Sequence, residues 1–314
     1  MHSILIVDFS VYRESLVKLF LDEGYRVDYS ESAYEAMTKL KSHDYDLVVS
    51  EVELPGDNAF DLYNYIRSNY PYIPTIMTTE KKIDTFFDRI FKEGIGNVLC
   101  KPITRELIMN LAIKLITKEN IFGLKNFMPE IAETKKIRIT SSMHIQKAIA
   151  LIIKEIETCG LKIANKMSLS LILSEMTINA VYHSHGLTLE KESRIPVVLN
   201  EGEYVDIFFA RCGTKYGIAI DDYKGILTKE KILESINRVV EQEHILINAA
   251  ETDEDVSELI SETGRGIDLV RKLAGEYYFI IRKDFRTEII LIFDTNPFTD
   301  DTQQYSSLRI IEDL

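Results

Sequence analysis

Residues 46–56 read DLVVSEVELPG: an apolar run from Leu47 to Val49 that runs into Ser50 and Glu51, and then a Pro55-Gly56 breaker. A short continuous apolar run of this kind, closed by turn residues, is the signature of a strand buried on both faces. Working outward, the same grammar recurs. Ile4-Leu5-Ile6-Val7 ends in Asp8, Pro74 to Met77 leads to Thr78 and Thr79, and Asn97 to Cys100 is followed by Lys101. The more polar Tyr25–Tyr29 reads as one further strand. Between these runs lie segments of helical periodicity: Val11–Glu23, Ser32–Ser42, Phe60–Ser68, Ile83–Glu93 and Thr104–Leu115. Strands alternating with helices predict a five-stranded parallel sheet covered by helices on both faces, an α/β flavodoxin-like fold. In open α/β sheets, ligands gather at the carboxyl ends of the strands. Those ends carry Asp8, Glu51, Thr79 and Lys101. Two acids, a hydroxyl and a lysine converging on one edge form an arrangement suited to a divalent cation and a phosphoryl group.

The rest of the chain follows different rules. Thr117–Arg138 is charged and weakly periodic, with Gly123 and Pro129, and reads as a linker running into the next domain. Ile145–Cys159 and Ser168–His183 read as helices. Ile195–Leu199, Val205–Arg211, Tyr216–Asp221, Tyr277–Lys283 and Glu288–Asp294 read as strands, with a helix over Gly266–Ala274. Cys212 to Lys215 suits a hairpin turn, and Leu227–Glu262 is long and charged. Helices segregated against an antiparallel sheet predict an α+β layer. The expected organisation is residues 1–120, a linker at 121–136, a second domain at 137–298 and a polar tail at 299–314. In that tail Leu308 to Ile311 is a short apolar run suited to docking or dimerisation.

Composition narrows the function classes. A chain of 314 residues with 46% hydrophobic residues supports two packed domains. A formal net charge of -13 disfavours a nucleic-acid partner, which needs a basic stripe. The 3 cysteines, Cys100, Cys159 and Cys212, are odd in number and widely spaced, so neither a disulfide framework nor a zinc set is suggested. No run of about 20 apolar residues is present, and the expectation is a cytoplasmic protein off the membrane.

Within the second domain, Glu175 and Asn179 stand four apart and share one helical face. An amide oxygen can ligate Mg2+ and a neighbouring carboxylate can order or deprotonate a nucleophile. The same spacing is also that of two ordinary polar residues at the margin of a packed helix. Asp221 ends an apolar strand, where a carboxylate can accept an amino group such as adenine's. Gly264-Arg265-Gly266 opens a helix, where backbone N–H groups can close on phosphate. His183 and His185 form an H-x-H pair without a third ligand and read as surface or core histidines.

Two resemblances follow. ILIVDFS, DLVVSEVELPGDNAFDL, IPTIMTTE and GIGNVLCKP resemble the response-regulator receiver family over roughly residues 1–120. Thr79 and Lys101 match that pattern. It departs at three places: Glu51 stands where the family has its phospho-accepting Asp, Phe9 stands where it has a second acid, and Val98 replaces the switch aromatic. A glutamate is one methylene longer than an aspartate, and in-line phosphoryl transfer depends on placement, so phospho-acceptance is not expected. Two readings of Glu51 stay open: it imitates phospho-aspartate by reaching Lys101 or Thr79, or it is a tolerated acid on a scaffold for protein contacts.

LSEMTINAVYHSHG, IAIDDYKG, TGRGIDLVRKLA and RTEIILIF resemble the N, G1 and G2 boxes and final strand of the Bergerat-fold (GHKL) ATPases. The anti-sigma-factor serine kinases are the subfamily meant, over roughly residues 136–296. The resemblance implies an α+β sandwich binding ATP and Mg2+. Glu175 would be the catalytic base, Asn179 the metal ligand and Asp221 the adenine reader; Gly264, Arg265 and Gly266 would contact phosphate. His183, Gly225 and Thr287 complete the matched set, while Tyr223 stands where the G1 box has a glycine. The implied function is a receiver-controlled serine/threonine protein kinase or anti-sigma factor. Its implied partners are a sigma factor and a STAS-type anti-anti-sigma protein, with homodimerisation common in both families. The alternatives are an inactive nucleotide-binding or nucleotide-free adaptor, and an orphan histidine-kinase-like fragment. For the latter, His144 in SSMHIQKAI lacks an acid directly after it and reads as a helix-start residue.

Overall fold

The computed structural model describes residues 1–56, 59–252, 265–295 and 307–313. The chain forms two compact units, Met1–Glu119 with Gln304–Arg309, and Asn120–Gln303 with Ile310–Leu314.

The first unit alternates β1 (Ser3–Val7), α1 (Tyr12–Asp22), β2 (Arg26–Ser30), α2 (Ala33–Ser42), β3 (Leu47–Glu51), α3 (Ala59–Asn69), β4 (Thr75–Thr79), α4 (Phe87–Glu93), β5 (Asn97–Cys100) and α5 (Arg105–Thr117). The five strands are parallel in the order β2-β1-β3-β4-β5. Chain order reverses between β1 and β3, which opens a crevice at their carboxyl ends. Ile4 to Val7 are 0% exposed, as expected of a strand covered on both faces. Ser32 and Thr104 accept hydrogen bonds from the backbone N–H groups of Glu35 and Leu107, capping α2 and α5. The helix expected over Ile83–Glu93 is broken into a 3-10 turn, Ile83–Phe86, and α4. Phe86 adopts φ -140 and ψ 23, outside helical geometry. Residues 308 and 309 pair antiparallel with Val98 and Asn97 of β5, and Ser307 Oγ accepts from Cys100 N at 3.0 Å.

The second unit contains β6 (Thr134–Ile139), α6 (Ile145–Thr158), α7 (Lys166–Tyr182), α8 (Thr188–Glu192), β7 (Val205–Cys212), β8 (Lys215–Asp222), α9 (Lys229–Thr252), α10 (Arg265–Leu273), β9 (Glu276–Arg282) and β10 (Arg286–Asp294). β9, β10, β8, β7 and β6 form an antiparallel sheet in that order, and residues 310–313 pair parallel with β9. α6 buries Ile145, Ala148, Ile149, Ile152 and Ile156, a helical stripe. α7 is buried on several sides because α6, α10, β7 and β8 all pack around it. The charged stretch after Leu227 is helical as far as Thr252.

Three expectations need correction. The stretch 121–136 is not a bare linker: Ile121, Leu124, Phe127, Met128 and Ile131 are buried, and β6 starts at Thr134. Its apolar side chains cover one face of the sheet. Gly217 makes room for them, since a Cβ there would stand 2.6 Å from Met128 Sδ and 3.0 Å from Leu124 Cδ2. Ile195–Leu199 is not a strand, and only an isolated bridge joins Val198 to Ser141. Pro196 removes a donor there, and besides the two backbone bonds from Ser142 N to Val197 O and Leu199 N to Thr140 O, the hydroxyls of Ser141 and Ser142 bond Val197 O and N. Residues 308–313 of the expected tail are extended and paired.

Candidate functional site

The carboxyl ends of β1, β3 and β5 bring Asp8, Glu51 and Lys101 into one buried cluster. Their exposures are 1%, 3% and 6%. Lys101 Nζ donates to Asp8 Oδ2 at 2.9 Å, to Ser10 Oγ at 3.2 Å and to Glu51 Oε2. The ammonium also sits 4.9 Å from the centre of the Tyr12 ring. The second Glu51 oxygen accepts from Val52 N at 3.0 Å, and Thr78 Oγ1 donates to Oε2 at 3.4 Å. Thr79 takes a different direction: its hydroxyl donates to Glu53 at 3.2 Å and accepts from Lys81 N at 3.0 Å. Burial raises the Glu51 carboxyl above the ordinary carboxylate range, against the pull of Lys101. Burial disfavours the Lys101 ammonium, but its bonds to Glu51 and Asp8 outweigh that and raise its pKa.

Residues 4–113 match the family model described as the response regulator receiver domain. The N-terminal unit carries a response-regulator receiver domain. Similar proteins include the response regulator FleR of Pseudomonas aeruginosa, 28% identical over 112 residues, 35% of this chain and 24% of that protein. The regulatory protein VanR of Enterococcus faecium is 33% identical over 126 residues, 39% of this chain and 53% of that protein. Among solved structures, the chemotaxis response regulator CheY4 of Vibrio cholerae is 24% identical with a TM-score of 0.34, covering 37% of this chain and 98% of that one. The chain thus spans a quarter of FleR and about half of VanR.

The receiver's donor set does not suit a divalent cation. Asp8 and Glu51 each give an oxygen to the one Lys101 ammonium, and Phe9, 47% exposed, stands where a further acid would lie. Among the described residues, no group of three or more His, Cys, Asp or Glu could hold a metal ion. Sequence reasoning missed Ser10, Thr78 and Tyr12; each lies within two or four residues of a named site residue, but only the fold turns it inward.

In the second unit the structure joins some of the expected residues and separates others. Gly266 of α10 lies against α7 so closely that a Cβ would meet Glu175 Cβ at 2.7 Å and Met176 Cε at 2.8 Å. Gly264 lies outside the described residues, as does the side chain of Arg265. Asn179 Oδ1 accepts from Lys191 Nζ at 2.8 Å, and the same ammonium lies 3.0 Å from His183 Nε2. Burial depresses the pKa of Lys191, and burial with the Lys191 and Lys231 charges depresses that of His183. Gly225 has φ +62, and a Cβ there would stand 2.4 Å from Arg282 O, so this turn requires glycine.

Asp221 is turned away from the helices. Successive strand residues point to opposite faces. Asp222 accepts a hydrogen bond from Ser184, just beyond α7, so it faces the helical layer. Asp221 lies on the other face, 0% exposed, in line with Asp206 of β7 and Glu288 of β10. Arg286 forms an ion pair with Asp221, and Arg138 binds Asp206 through two hydrogen bonds of 2.8 and 2.9 Å. Gly123 N donates to Glu288 Oε2 at 2.6 Å, and Phe122 lies under Arg286, so the 121–131 segment closes this cluster. Burial raises the carboxyls of Asp221 and Glu288. Tyr223 joins the same face: its hydroxyl donates to Asp206 Oδ2 at 3.0 Å and its ring meets Tyr204 edge to face. Asp221 is therefore corrected from a ligand-facing acid to a member of a closed ion cluster. The acid facing the helices is Asp222, directly opposite Thr287. Thr287 is 2% exposed, and its hydroxyl has no hydrogen-bond partner. Among the described residues no helix is long and apolar enough to cross a membrane.

Proposed function

We propose that the chain is a signalling regulator whose receiver is held by internal ion pairs instead of by phosphorylation. In this reading the second unit is a nucleotide-binding module of the anti-sigma-factor kinase type that engages a sigma factor or a STAS-type protein. One observation carries the receiver half: Lys101 ties Asp8 to Glu51. The reach of Glu51 to Lys101 supports the reading in which it stands in for phospho-aspartate, over that of a merely tolerated acid. Acetyl phosphate with Mg2+ is the test. The expected mass spectrum shows no acyl phosphate on the native protein and partial recovery in Phe9→Asp/Glu51→Asp. Stoichiometric phosphorylation of native Glu51 would sink the proposal.

For the second unit, the support is an orphan hydroxyl. A buried, unpartnered Thr287 opposite a buried carboxyl is a pair suited to the amino and ring-nitrogen edge of a purine. Glu175 and Gly266, packed together, place the opening of α10 beside α7, where the phosphates of ATP would lie. When bound, ATP would supply a transferable phosphoryl group. Here Asp222 and Thr287 would orient the base, and the Glu175 carboxyl would stand beside the phosphates. The involvement of Asn179 with Lys191 favours a binding module over a kinase. Thr287→Val should lose ATP binding in calorimetry, and a STAS-type protein incubated with ATP should stay unphosphorylated. Phosphate on that partner, lost in Glu175→Gln, would establish the kinase instead.

A further inference from the structure

Asn179, which the resemblance assigns to Mg2+, already has a cation on it. Lys191 Nζ donates to Asn179 Oδ1 at 2.8 Å and to His183 Nε2 at 3.0 Å. For Nε2 to accept, the imidazole is neutral with its proton on Nδ1, which lies 3.4 Å from Thr188 Oγ1. Local structure delivers the ammonium. After α7 the chain turns through residues 183–187, with Leu187 N donating to Tyr182 O at 2.8 Å, and α8 then carries Lys191 back over the end of α7. Both acceptors are uncharged, so neither cancels the lysine. The acids that act on it are Glu175 and Glu192, and Lys231 of α9 adds a second positive charge close enough to act on His183.

This donor set does not fit Mg2+, which takes an octahedron of hard oxygens: the one amide oxygen offered is already taken by an ammonium, and the other group is an imidazole. It does fit phosphate, for which lysine acts as a point charge. The geometry points to Lys191 as a tethered cation standing in place of the divalent ion, so that nucleotide phosphates bind here without metal. The inference rests on the nucleotide reading of the second unit. Lys191 is a binding residue in this scheme, with Asn179 and His183 positioning its ammonium.

Calorimetric titration of the full-length protein with ATP, in EDTA and in excess Mg2+, tests it. The expected result is binding in EDTA at least as tight as in Mg2+, weakened tenfold or more in both Lys191→Met and Lys191→Gln. Unchanged thermal unfolding of either variant shows that the loss is local. Native binding that requires Mg2+, or variants that bind like the native protein in EDTA, would overturn the inference and leave the nucleotide reading standing. Absence of ATP binding by the native protein in both buffers would remove the nucleotide reading itself, and the inference with it.

Discussion

Each unit holds a lysine at the place where family resemblance would set phosphate chemistry, and the two lysines are held in opposite ways. Lys101 is buried between two carboxylates, and its pKa is raised. Lys191 is half-buried between an amide and a neutral imidazole, and its pKa is lowered. In the receiver cluster the lysine charge is spent on its own acids, two carboxyl groups to one ammonium. The second cluster keeps a positive charge that its immediate partners do not neutralise. The difference separates a structural lysine from one available to an anion: what matters is the charge of the acceptors around it.

The largest effect should come from breaking the closed cluster. Lys101→Met leaves Asp8 and Glu51 buried together without a counter-charge, and should destabilise the first unit by about 3–5 kcal/mol in chemical denaturation. Adding Glu51→Gln should recover part of that loss; no recovery would mean the two groups are uncoupled. A smaller effect is expected from pH. The folded Glu51 carboxyl titrates near about 7, above its ordinary value of about 4.3, so the folded state binds more protons across that window. Stability should therefore fall as pH rises through the window, and Glu51→Gln should flatten the slope in denaturation measured across pH. Smallest of all, Lys191→Met should cost about 1 kcal/mol or less, since it abandons only neutral acceptors with access to water. A loss as large as that of Lys101→Met would erase the contrast between the two sites.

Much of the first unit was legible in its sequence, because buried parallel strands are written as unbroken apolar runs and their ends carry the site. Asp8, Glu51 and Lys101 met as their positions implied, while Thr79 turned to Glu53, an acid two residues past the strand that no pattern marked. The second unit was less legible for specific reasons. Asp221 and Asp222 are adjacent acids on one strand, and nothing in their order says which faces the helices; cross-strand pairing decides it. Lys191 lies twelve residues beyond Asn179, on a short helix whose return is set by the turn after α7. Ile121, Leu124, Met128 and Ile131 are spaced three or four apart, as on a helix, but Gly123 and Pro129 interrupt the stretch, so it reads as a linker and its burial is hidden.

That segment also governs where the polypeptide tolerates being cut. The row Phe208, Ala219, Ile290 and Tyr278 lies on the face that residues 121–131 shield, with Phe127 4.5 Å from the Tyr278 ring. A fragment begun at residue 137 would present this greasy surface to water and lack β6 as far as Lys136, leaving an open edge on β7. Such a fragment should clump on expression, whereas one begun at residue 120 keeps its own wrapping.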